Sequence, residues 1–275
     1  MLQYVIKRLL IYCDIAYIAF RYCVFLDTFC IHLYLFLGNY IFWNLNIMDI
    51  AYFSKFNDIL NLNFIIDILP LFWQALLLTL EISFYGIFGA IFIGFISSLV
   101  IYYKIRPFVW ITRVYIEISR NTPLIIHLFF LYFGLSYWIE IPNFWCAVLG
   151  VIFLGGSYMA ESFRLGLESV RKTQIESALS LGFSHFQILC YVIFPQSIPL
   201  SIPSICANIL FLIKETSIVG VIALQDLMSI AKEVISNYGQ TNEALFLLIC
   251  AYLIVLLPLS LIFSRLEHHY RRNLL

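Results

Sequence analysis

Residues 186–213 run for 28 positions without a charged side chain, residues 82–103 for 22 and residues 244–263 for 20. A bilayer's hydrocarbon core is about 30 Å thick and is crossed by about 20 mostly apolar helical residues. Runs of that length dictate helices that span a membrane, because backbone polar groups in lipid must pair within their own segment. Two shorter uncharged stretches, 121–139 and 144–160, complete a set of five; the first continues an apolar helical pattern that starts near Phe108. The expected fold class is therefore all-α, a polytopic membrane helix bundle with five core transmembrane helices. A further amino-terminal helix is expected over 29–47, where Asp27 and Asp49 bracket a run without charge. Residues 9–20 are too short to cross and contain Asp14, which suits a segment lying along the interface.

Composition agrees, at 63% hydrophobic and 12% charged residues. The formal net charge is zero, so nothing points to a nucleic-acid partner. The seven cysteines form no CxxC pair and read as small buried hydrophobes, with no metal site expected. The chain opens with basic residues ahead of an apolar stretch, as a signal peptide does. Asp14 and Arg21 interrupt that stretch and no small-x-small cleavage site follows, so it reads as retained.

Between two of the spans lies a polar island with six charges in the sixteen residues from Glu161 to Glu176. Its alternation of charged, small and apolar residues predicts a short amphipathic helix, a break at Gly182 and a second short helix. Glycine turns or adopts a positive φ there at little cost. Glu176, Ala178 and Leu179 would form a compact face able to enter a groove on a partner; an ordinary solvated loop is the alternative. With this island in the cytoplasm, Lys104, Arg106, Arg164, Arg171, Lys172, Arg265, Arg271 and Arg272 fall inside, as do Lys7, Arg8 and Arg21 if the extra helix spans. Only Lys55, Lys214 and Lys232 fall outside, which satisfies the positive-inside rule. The carboxyl terminus is expected in the cytoplasm, and the amino terminus with it.

Several polar residues sit within or beside the apolar runs. Arg120 precedes Asn121, Thr122 and Pro123, with Glu117 at i−3 as a local partner; the alternative places Arg120 and Asn121 along a translocation path. His127 has wholly apolar neighbours in sequence and suits either a helix–helix hydrogen bond or a substrate-lining group. Glu161 and Arg164, at i and i+3, suit an ion pair at the membrane edge or a gate. Pro195, Pro199 and Pro203 recur every four residues and leave three backbone hydrogen bonds unmade on one face, in a pore-facing bendable helix or a static kink. Lys214 and Glu215 end that helix on the outer side.

The island resembles the EAA loop of permease subunits of ABC importers. Glu176-Ser177-Ala178, Gly182, Val192 and Phe194-Pro195 stand at that loop's spacing, with Ser, Val and Phe as departures. Three further stretches are similar to the polar-amino-acid branch of that family, the histidine, glutamine and arginine permeases. These are RNTPLIIHLFFLYFGL from Arg120, GGSYMAESFRLGLESV from Gly155 and LIKETSIVGVIALQDL from Leu212. The resemblance covers about residues 70–272. It implies an ABC importer transmembrane domain over 63–275 with a coupling loop at about 165–190, preceded by an extension over 1–62.

What the resemblance implies about function is a permease that moves a polar amino acid across the cytoplasmic membrane by ATP-driven alternating access. Glu176, Ser177, Ala178, Gly182 and Pro195 would couple it to the ATPase. Arg120, Asn121, Thr122, His127, Glu161, Lys214 and Glu215 are the candidates for the substrate path. The chain has no phosphate-binding glycine loop, so it is expected not to be an enzyme and to hold no cofactor, with ATP and Mg on two copies of a separate ATPase. A second permease subunit, identical or related, and an extracytoplasmic binding protein complete the expected assembly. An ion-gradient-driven secondary transporter is the alternative, although the five clear spans lack mid-span carboxylates. A membrane-embedded enzyme would need clustered His, Asp and Glu, and the adjacent His268 and His269 sit in a basic tail.

Overall fold

A computed structural model describes residues 60–135 and 138–272 of the chain. The expected helix at 29–47, the interfacial segment at 9–20 and the amino-terminal basic residues lie outside the described residues. The body, Leu62–Leu275, is one compact unit. Its described elements are helical. Helix α1 is Leu62–Tyr102, α2 Phe108–Arg120, and α3 Leu124–Phe129, which continues into a π-helical turn over Phe130–Gly134. Then come α4, Asn143–Glu168, α5, Lys172–Ser180, and α6, His185–Ile188, which runs through a second π-helical turn, Leu189–Ile193, into α7, Phe194–Glu215. A 3₁₀ segment, Thr216–Ile222, leads to α8, Leu227–Tyr238, and α9, Thr241–Arg272.

Among the described residues, four helical stretches are long and apolar enough to cross a membrane: Leu62–Tyr102, Asn143–Glu168, His185–Ile222 and Thr241–Tyr270. A shorter apolar helix, Leu124–Gly134, accompanies them. The expected second span is thus broken: α2 ends at Arg120 and α3 restarts after Pro123. Proline disfavours a helical residue before it and supplies no N–H, so the chain steps sideways there. Helix α1 is 41 residues long, about 60 Å at 1.5 Å per residue, and begins well before the expected start at 82. Its extra turns form because Ile68, Phe72, Ala75 and Leu76 bury against Leu227, Ile230, Ala231 and Val234 of α8 and Ala244 and Leu247 of α9. Glu81, read from sequence as a span boundary, consequently stands exposed in mid-helix.

Helix α4 is the centre of the bundle: 67% of its most apolar window is buried, against 11% for α9, which is peripheral. Ile82 and Ala90 of α1, Leu124 and Leu128 of α3, Val148, Val151 and Met159 of α4 and Leu212 of α7 make one core around it. Small residues bring α1 and α4 together. A Cβ at Gly94 would overlap the Met159 side chain and stand 2.9 Å from the Gly156 carbonyl oxygen. Close backbone approach is the usual basis of helix association in lipid, where apolar burial supplies little drive.

Candidate functional site

Helix α4 delivers the chain into a short helical hairpin made of α5 and α6. Its bend is a glycine-capped helix end. Gly182 has φ +85°; its amide donates to the Leu179 carbonyl at 2.9 Å and the Phe183 amide donates to the Ala178 carbonyl at 3.2 Å. That pair of bonds is the Schellman pattern, which needs a left-handed residue where glycine alone avoids a Cβ clash. A capping box starts α6: the Gln187 amide donates to Ser184 Oγ at 3.3 Å and the Ser184 amide to Gln187 Oε1 at 2.8 Å. The hairpin therefore has a defined shape.

Its root is packed and its tip is bare. Ala178 is buried with Leu167, Val170, Ile188, Leu189 and Ile193, so it faces the helix bundle and not a partner's groove. Glu176 and Ser177 are exposed. Ser177 Oγ donates to the Thr173 carbonyl at 2.8 Å. Leu181 is 78% exposed and Phe186 73%. Large apolar side chains in that state on a polar loop mark an interaction surface. Pro195 opens α7 directly after the second π-helical turn.

A polar seam runs beside the hairpin, between α2, α4 and α7. Arg164 forks between Glu161, through Nε at 3.0 Å and a second short contact from Nη2, and Glu168, through Nη1 at 2.7 Å. Arg120 lies 5.4 Å over the Tyr158 ring, a cation–π contact. The local partner expected for Arg120 is engaged elsewhere: Asn121 Nδ2 donates to the Glu117 carbonyl at 2.7 Å and to Glu117 Oε2 at 3.2 Å. Thr122 Oγ1 caps back onto the Ile118 carbonyl at 2.7 Å. Deeper in the seam, Ser162 Oγ and Ser204 Oγ are 2.7 Å apart. Asn208 Nδ2 donates to Ser162 Oγ at 2.8 Å and to the Tyr158 carbonyl at 3.3 Å. Gly166 lets α7 in, since a Cβ there would fall on Ser201 Oγ and 2.6 Å from the Ser197 carbonyl oxygen.

The remaining candidates are scattered. His127 packs its ring edge-on against Phe153 at 5.0 Å. Lys214 is exposed and Glu215 half-buried at the far end of α7. Just beyond, Asp226 is fully buried and caps α8, accepting from the Met228 amide at 3.2 Å, the Ser229 amide at 3.3 Å and Ser229 Oγ at 2.5 Å. Burial pushes the Asp226 carboxyl above the usual carboxylate range, and the Ser229 hydroxyl and the two amides oppose that shift. No group of three or more His, Cys, Asp or Glu with metal-binding geometry occurs among the described residues.

Residues 90–272 match the family described as binding-protein-dependent transport system inner membrane component. The chain belongs to that family. It is a multi-pass membrane protein and an ABC-transporter permease. It is similar to the arginine transport system permease protein ArtQ of Bacillus subtilis (strain 168), 30% identical over 218 residues that make up 78% of this chain and 100% of the relative. It is also similar to the glutamine transport system permease protein GlnP of Escherichia coli (strain K12), 31% identical over 211 residues covering 74% and 94% of the two chains. Among solved structures, one of an amino acid ABC transporter with histidines is 30% identical with a TM-score of 0.68, covering 74% of this chain and 96% of that one. An inward-facing structure of the MetNI methionine ABC transporter, at 16% identity and TM-score 0.63 over 74% and 98% of the chains, shares the fold.

Some site residues of the permease were beyond sequence reasoning. The bare tip at Leu181 and Phe186 was not singled out, although both are large apolar residues in a polar loop. Asn208 carried a signal, as one of three amides, with Gln187 and Gln196, inside an uncharged apolar run. The bond from Ser119 to the Phe153 carbonyl carried none, because 34 residues separate the two.

Proposed function

We propose that this permease carries a polar amino acid inward and is driven by a separate ATPase, present in two copies, one of which docks on the α5–α6 hairpin. The observation that carries this is the hairpin itself. It leaves the membrane between two crossing helices, is rigidly capped at both ends of its turn, and leaves Leu181 bare at its tip. Motion applied at the tip reaches α4 and α7 through Ala178 and its buried neighbours. The relatives' amino-acid substrates support the substrate class. A second permease, identical or related, and an extracytoplasmic binding protein complete the assembly, and both termini lie in the cytoplasm.

The substrate path follows the polar seam. Arg120 and Glu161 offer opposite charges near Tyr158, which suits a zwitterion's carboxylate and ammonium. Asn121 and Thr122 sit at the α2–α3 break beside them, and Lys214 and Glu215 stand at the outer end of α7. The extension over 1–62 and the transmembrane domain over 63–275 are separate units in this scheme.

The test is to purify the tagged permease from its native membrane, identify what accompanies it, and compare wild type with Leu181→Asp. Leu181 supports no packing, so the variant is expected to fold, insert and lose the ATPase. Recovery of an ATPase whose turnover rises with a polar amino acid and the binding protein supports the proposal. A folded wild-type protein without an ATPase overturns it.

A further inference from the structure

Both ring nitrogens of His127 are buried with no hydrogen-bond partner. A neutral imidazole carries one N–H donor and one acceptor. Leaving them unmade in a low-dielectric interior shifts a conformational equilibrium by about tenfold or more. Buried polar groups are otherwise paired, so each exception calls for a physical reason.

The surroundings of the ring supply one. Three helices converge on Phe153. Helix α2 holds it through two hydroxyls, Tyr115 and Ser119, each donating to the Phe153 carbonyl oxygen at 2.8 Å. Helix α3 meets the same residue through the His127 ring edge. Two donors therefore crowd one oxygen while an imidazole lone pair against the same side chain has none. Helix α3 is also built to shift. The Asn121–Pro123 break precedes it and the π-helical turn Phe130–Gly134 follows it. Its grip on α4 is apolar, with Leu124 and Leu128 over Gly150. Sliding across such a surface breaks no hydrogen bond.

We propose that His127 is a positioning residue of the transport cycle. In a second position of α3 its imidazole accepts a hydrogen bond from the Ser119 or Tyr115 hydroxyl, which leaves the Phe153 carbonyl. The other hydroxyl stays, so the exchange bares no buried oxygen. The conformation described here holds the imidazole unpaired, and the movement that alternating access requires is drawn toward the paired state. Such a contact is one discrete two-state element of the kind that transport cycles use. The inference rests on the alternating-access function proposed above.

The experiment uses the permease–ATPase complex with His127→Leu, which has similar volume and no polar atom, and His127→Gln, which keeps a donor and an acceptor. Without nucleotide, His127→Leu is expected to melt about 2–4 °C higher than wild type, because it removes an unpaired group. With ATP bound and hydrolysis blocked, that gain is expected to vanish or reverse. Uptake is expected to fall about tenfold in His127→Leu and to stay within about twofold in His127→Gln. Adding Ser119→Ala alone to His127→Leu, which leaves the Tyr115 hydroxyl on the Phe153 carbonyl, is expected to cause no further loss. A lower melting temperature for His127→Leu without nucleotide would mean that the imidazole is already paired, and overturns the proposal. So does wild-type uptake in His127→Leu, or equal loss in both variants. Failure of the wild-type complex to import any amino acid would instead overturn the substrate proposal, and the two melting comparisons would still decide the role of His127.

Discussion

Gly182 separates two ways in which a coupling hairpin can fail. Its φ of +85° is left-handed, and a Cβ placed on it would meet nothing within 4 Å. Any side chain therefore fits in the isolated permease, and the penalty is purely conformational. For an L-residue the left-handed region costs about 1–2 kcal/mol, less for Asn and Asp and more for a β-branched residue. At about 1.4 kcal/mol per tenfold, Gly182→Ala should reduce the population of the bent hairpin about tenfold. Gly182→Val should lose it almost wholly, with the Gly182-to-Leu179 and Phe183-to-Ala178 bonds released together. Gly182→Asn should keep most of it. Gly182→Asp shares the backbone preference of Asn but adds a charge to the exposed tip, so it tests docking separately; it is expected to abolish substrate-stimulated ATP turnover while insertion stays intact. The assay is substrate-stimulated ATP hydrolysis in proteoliposomes, alongside the amount of ATPase retained. The expected order of damage is Asn, Ala, Val. Loss that follows side-chain volume instead, with Ala near wild type and Asn near Val, would refute the conformational argument and place Gly182 in contact with the partner.

Two further predictions concern stability. Gly166→Ala is expected to destabilise the α4–α7 contact by about 1–3 kcal/mol through overpacking, and Ser201→Ala should restore only part of it, because the Ser197 carbonyl oxygen remains 2.6 Å from the new Cβ; full recovery of the melting temperature would contradict this. Asp226→Ala should cost about 1 kcal/mol as a lost helix cap, whereas Asp226→Asn keeps the cap. Because burial raises the Asp226 carboxyl above its unfolded value, the folded protein binds that proton more readily, and its stability contribution improves as pH falls through the raised value. Asp226→Asn should therefore melt above wild type at neutral pH and converge with it on acidification; a gap that widens on acidification would reverse the sign.

Much of the bundle was legible in the sequence because lipid leaves few options. Uncharged runs such as 244–263 must be helices, and a segment with six charges in sixteen residues must lie largely outside the hydrocarbon. The hairpin's break was legible at Gly182 because glycine adopts that φ at the least cost. Boundaries were less so. The sequence reading ended the first span at Glu81, where a charge meets an apolar run, but the helix continues to Leu62 since α8 and α9 bury its far turns. The partner of Arg120 stayed open in the sequence for a similar reason. Glu117 lies within reach along the helix, yet Asn121 takes it, and Tyr158, 38 residues away in sequence, takes the guanidinium.

Local chemistry in the chain thus determined which segments cross the membrane, which loop stays in water and where that loop bends, since each depends on neighbours within a few residues. The direction each side chain faces was decided only by tertiary packing. Ala178 reads as a docking surface by its motif and is a buried root in the fold. His127 reads as a helix–helix hydrogen bond or a substrate-lining group and is an unpaired ring against Phe153. Helical periodicity places a residue on a face, but what covers that face belongs to a helix elsewhere in the chain, and only the folded bundle brings the two together.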